Sequence, residues 1–99
     1  MKTRKSTEQR LRDKVSQWAM TIGVKPKVVQ MRYMKRKWAS CSTAGRVSFS
    51  KDLSAKRTKF QDFVILHELM HLQVPNHGKL FKSLMTAYMP DWEEMDMER

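Results

Sequence analysis

FQDFVILHELMHLQVPNH, Phe60 to His77, is the stretch on which the reading of this chain turns. No Gly or Pro interrupts it until Pro75, and Thr58 followed by Gln61 has the form of a capping box. A helix is therefore predicted from about residue 59 to 73. Phe63, Val64, Ile65, Leu66, Leu69 and Met70 leave it little polar surface, which predicts burial on most sides.

Four residues separate His67 from His71, so their imidazoles share one helix face, about 6 Å apart along the axis. Glu68 sits at the edge of that face. The pattern is HExxH, in which two imidazoles grip a zinc ion and the Glu takes a proton from water instead of binding the metal. A third ligand is needed, and His77 follows six residues after His71, just past Pro75. All three histidines of the chain fall within this eleven-residue window. Imidazole and carboxylate groups on so apolar a helix are costly unless paired or ligating. Three neutral imidazoles leave one position open, the mark of a catalytic zinc site and not of a closed structural one. Acyl transfer to water, with an amide as substrate, is the reaction class this implies.

Outward from the motif, the chain reads as α+β. Ser6 and Gln9 form another capping-box pair, and Leu11, Val15, Trp18 and Ile22 then recur at helical spacing up to Gly23. Val28 to Met34 is rich in β-branched, aromatic and Met residues, and Val47 and Phe49 alternate in GRVSFS. These are two strands, expected as antiparallel neighbours. The polar stretch Lys35 to Ala44 between them is too long for a tight turn and is a loop or holds a further short strand. Gly45 to Ser50, or its neighbour, is the expected docking strand for an extended peptide. Leu80, Phe81, Leu84, Met85 and Tyr88 mark a C-terminal helix ended by Pro90. The acidic tail from Asp91, with Trp92 as its only large anchor, is expected to fray, the alternative being that it folds back across the cleft and keeps the enzyme latent.

Ninety-nine residues suit one domain, residues 1–99. No apolar run approaches the length of a membrane span, and MKTRKSTEQR has no apolar stretch behind its basic start, so no signal peptide is expected. A single cysteine, Cys41, excludes an internal disulfide and points to a reducing, cytoplasmic setting. Cys41 itself reads as a small packing residue, with a fourth zinc ligand as the rarer use. Trp18, Trp38 and Trp92 read as core or rim packing. The net charge of +10 is uneven: residues 1–60 hold 17 Lys and Arg against 3 Asp and Glu, and residues 61–99 hold 3 against 7. Such a basic half can attract polyanions, which keeps nucleic acid in view as a partner.

HELMHLQVPNHGKLF, with WASCSTAGRVSFSKDL some twenty residues before it, resembles the YgjP-like metallopeptidase domain of the zincin superfamily. The resemblance rests on Trp38, Ser40, Cys41 and Ser42 in the turn, then Gly45 and a strand, the HExxH helix, Asn76 before the third His, Phe81, and the pair Pro90 and Asp91. It implies a minimal zincin with an N-terminal helix, a small antiparallel or mixed sheet, the HExxH helix and a C-terminal helix. It also implies zinc on His67, His71 and His77, Glu68 as catalytic base, and a peptide or protein substrate. The third-ligand spacing is similar to that of SprT-like and Wss-type proteases, which act on DNA-bound proteins and usually have Gly-Pro-His where this chain has Pro75, Asn76 and His77. A non-catalytic zincin-like binding module is the other alternative. The sequence leaves the oligomeric state open.

Overall fold

The computed structural model describes residues 7–97. Helix α1 (Thr7–Ile22) leads to a three-stranded sheet of β1 (Val28–Arg32), β2 (Ala39–Cys41) and β3 (Arg46–Ser50). A 3₁₀ turn (Lys51–Ala55) then precedes α2 (Thr58–Met70), α3 (Lys79–Tyr88) and α4 (Trp92–Asp96). The α+β expectation, with a further short strand between the two read from the sequence, is borne out.

Leu11, Val15, Ala19 and Ile22 give α1 one buried stripe. Gly23 ends it at φ 77°, a left-handed conformation that a side chain would strain, and the amides of Gly23 and Val24 both donate to the Ala19 carbonyl. The predicted cap at Ser6 lies outside the described residues.

The strand order is β1-β3-β2, and here one expectation is corrected: β1 and β3 are parallel, with Val28 opposite Arg46 and Arg32 opposite Ser50. The connection is long enough to cross over β3 and reverse in β2. A turn then carries β2 back into β3 as an antiparallel hairpin, with Ala39 opposite Phe49 and Cys41 opposite Val47. In that turn Gly45, at φ 90°, donates its amide to the Ser42 carbonyl. β3 is central and buried from Val47 to Ser50 on both faces, as a strand covered on two sides must be. Its backbone is paired on both edges, so the strand with an open edge on the hairpin side is its neighbour β2. Ser50 donates to the Trp38 carbonyl and Ser42 donates to the Arg46 carbonyl, so by antiparallel alternation the main-chain groups of Ala39 and Cys41 face outward.

Helix α2 fills the centre, with Phe60 and every residue from Phe63 to Met70 buried against α1, β2, β3, α3 and α4. It starts at Thr58 with Arg57 as cap and no side-chain capping bond, so the predicted capping box does not form. Gln61 instead uses its side-chain amide to hold the carbonyls of Leu53, Ser54 and Lys56, closing the preceding turn. Regular helix stops three residues short of the predicted end. His71, Leu72 and Gln73 donate to carbonyls three residues back, so the last turn tightens ahead of Pro75.

The tail does not fray within the described residues. Trp92 and Met95 are buried in α4, and Trp92 Nε1 donates to Thr86 Oγ1 at 3.0 Å, so the aromatic anchor and one Met suffice to dock it on α2. No helix among the described residues is long and apolar enough to cross a membrane.

Candidate metal centre

His67 lies on the last full turn of α2, His71 caps the helix, and the turn through Pro75 carries His77 back toward both. The structure thus brings together all three histidines singled out in the sequence. One nitrogen from each lies within 4.8 Å of the others, and among the described residues they are the group able to hold a metal ion. Nε2 of His71 and Nε2 of His77 point at each other across 2.9 Å. Zinc–nitrogen bonds of about 2.0 Å set tetrahedral ligand nitrogens about 3.3 Å apart, inside the observed spread, so the donor set fits a metal of this kind.

Exposure grades across the trio: His67 is buried, His71 half-buried and His77 exposed. One side of the centre is therefore packed and the other meets solvent. Glu68 is buried beside His67, and its Oε2 accepts a hydrogen bond from His67 Nδ1 at 3.1 Å in the tautomer that carries the proton there. That tautomer leaves the Nε2 lone pair of His67 for a metal, the usual division of labour in an imidazole ligand.

A residue the sequence reading placed in the apolar pattern of the C-terminal helix and in the family pattern, but gave no part in the site, proves central. Phe81, fully buried on α3, stacks on His71 with ring centroids 4.9 Å apart at 24°. It meets His67 and His77 edge-on, at 5.3 and 4.8 Å. It stands on the first turn of α3, just after the loop that carries His77, and it is this short connection that brings the ring to the histidines. Asp96 and Trp92 of α4 border a recess with His67 and His77, which an expected frayed tail could not have supplied.

Burial lowers the pKa of His71, and the neighbouring His67 adds to it, against a smaller opposing pull from Glu68. The imidazole therefore stays neutral, and available as a ligand, below the ordinary histidine range. Because the folded value lies under the unfolded one of 6.5, the metal-free protein should be stable above that pH. It should lose stability as pH falls from there toward the folded value, since the unfolded chain binds the proton more readily. Chelator-treated protein melted between pH 8 and 5 is expected to show this loss, and His71→Asn should flatten it. An equal slope in both proteins would place the linkage elsewhere.

Cys41 closes β2, half-buried, its thiol donating to the Ser42 carbonyl. Burial first and the Glu68 carboxylate second push the thiol pKa up, which disfavours the thiolate a metal would need. It stands outside the ligand group, as a packing residue on the rim of a groove that includes Ser42, His71 and Pro75.

Residues 2–98 match the YgjP-like metallopeptidase domain family. Comparison with curated proteins found no similar sequence. Among solved structures, the chain is similar to the metallopeptidase zymogen jannalysin of Methanocaldococcus jannaschii, with TM-score 0.78 and 22% identity over 96% of this chain and 94% of that one. It is likewise similar to the metallopeptidase zymogen abylysin of Pyrococcus abyssi, with TM-score 0.77 and 19% identity over 89% and 90%. At such identities the likeness establishes the shared fold.

Proposed function

The chain belongs to the YgjP-like metallopeptidase family, and from that premise we propose that it is a zinc peptidase in which His67, His71 and His77 hold the metal and Glu68 is the general base. The observation that carries this reading is the convergence of three imidazoles beside one buried carboxylate. Three neutral nitrogen donors with a position to spare suit zinc better than harder cations, which prefer oxygen. When bound, zinc supplies the Lewis acidity that makes water a nucleophile at neutral pH. The Glu68 carboxylate takes the proton of the attacking water and passes it to the leaving amine. His67 and His71 are fixed by the helix and by Phe81, and the turn at Pro75 sets His77.

A peptide substrate can extend the sheet at β2, whose outward main-chain groups at Ala39 and Cys41 lead to the groove shared with His71. Main-chain pairing of this kind makes little demand on sequence. Metal titration tests the reading. Metal-free protein should take up about one zinc per chain, and His77→Ala should weaken binding by about a hundredfold, measured against a chromophoric chelator. A folded protein that refuses zinc, or a His77→Ala variant that binds as tightly as the parent, would overturn the ligand set.

A further inference from the structure

The geometry points to a substrate preference: the end of β2 remote from the metal centre opens onto a basic face that selects peptides carrying an acidic residue about four positions from the bond that is cut. This inference rests on the peptidase reading and on β2 as the docking edge. β2 runs from Trp38, at its entrance, to Cys41, which shares a groove with His71. Immediately before it, Lys35, Arg36 and Lys37 are exposed and line a pocket with Met34, Trp38 and Asp52. Lys56 Nζ lies over the Trp38 ring, 5.4 Å from its centroid, and Lys51 Nζ over the exposed Tyr33 ring at 5.1 Å. Lys51 and Lys56 thus add to the charge of Lys35, Arg36 and Lys37 on this face, against two carboxylates, Asp52 and, beside Tyr33 and Lys51, Glu8. None of Lys35, Arg36 or Lys37 enters an ion pair among the described residues.

Distance links the two ends. Extended chain advances about 3.3 Å per residue and residues 35–38 bend into the strand, so Lys37 lies at most about 13 Å from Cys41. A peptide paired with β2 and reaching the metal centre near Cys41 would carry its side chain about four residues away to the Lys35 to Lys37 cluster. A carboxylate there meets several positive charges at once, whereas a cation is repelled.

The experiment uses the zinc-loaded chain and one cleavable peptide sequence in which Glu, Gln or Lys is scanned three to five residues to either side of the bond. At about 0.01 M salt, Glu should exceed Gln by about three- to tenfold in kcat/KM, through KM, and Lys should fall below Gln. The ratio should shrink toward one near about 1 M salt. The triple variant Lys35→Gln, Arg36→Gln, Lys37→Gln should abolish the Glu over Gln ratio at low salt. Fluorescence anisotropy with the Glu68→Gln protein reads the same preference as affinity, without hydrolysis. Acidic preference in binding with no hydrolysis by the parent protein would support the basic face and sink the peptidase reading alone. Hydrolysis at equal rates for Glu and Gln peptides would overturn this inference alone. Equal peptide affinities alongside tight, salt-sensitive binding of a single-stranded oligonucleotide would overturn it too, and assign the face to nucleic acid.

Discussion

Glu68→Gln is expected to leave zinc content unchanged while cutting peptide hydrolysis by about 10²- to 10⁴-fold. The substitution preserves shape and keeps an oxygen that can accept from His67 Nδ1, so the imidazole keeps its orientation. It removes only the capacity to take a proton. The site is buried at Glu68, which limits the access of bulk buffer as a substitute base. Zinc stoichiometry and hydrolysis of a quenched fluorescent peptide, measured on the same preparation, check both halves. Full activity in the variant would remove Glu68 from the chemistry. Loss of zinc together with activity would make it a positioning or ligating residue. The same comparison separates an enzyme from a non-catalytic zincin-like module, for which no hydrolysis would exist to be lost.

The second large effect is expected at Phe81. Truncation to Ala deletes a fully buried ring and should cost about 3–5 kcal/mol of stability, a large share of the margin by which a domain of this size stays folded. Because the ring touches all three histidines, its loss also frees them to rotate, and zinc affinity should fall with stability. Phe81→Leu keeps most of the volume and separates the two effects. It should melt closer to the parent yet still bind zinc more weakly, by about tenfold. If Phe81→Leu binds zinc as the parent does, Phe81 is a core residue with no part in setting the ligands.

The chemistry was legible in the sequence because it is local. A four-residue interval on a helix fixes which side chains share a face, and Pro75 fixes where the helix must turn, so His67, His71, His77 and Glu68 could be named from spacing and burial cost. The buried character of α2 followed equally from its composition. Helix α1 was readable from its apolar stripe and from Gly23, for the same reason.

What spacing could not decide was pairing between segments distant in the chain. Two strand-like segments joined by a long polar stretch can lie parallel or antiparallel. The outcome depends on whether the connection reverses an even or odd number of times. Here β2 reverses it once more and makes β1 and β3 parallel. Gln61 matched a capping pattern but found three nearer carbonyls in the preceding turn, a competition visible only once that turn is folded. The acidic tail looked poor in anchors, yet α2 offers a surface on which Trp92 and Met95 bury enough apolar area to hold it. The sequence by itself therefore determined the cluster of candidate metal-binding histidines and the helix that leads to it, since periodicity and the cost of burying polar groups act within a few turns. Tertiary structure alone decided strand direction, the open edge at β2, the seating of Phe81 among the histidines and the docking of the tail. Those depend on which surfaces meet, and that is a property of the assembled chain.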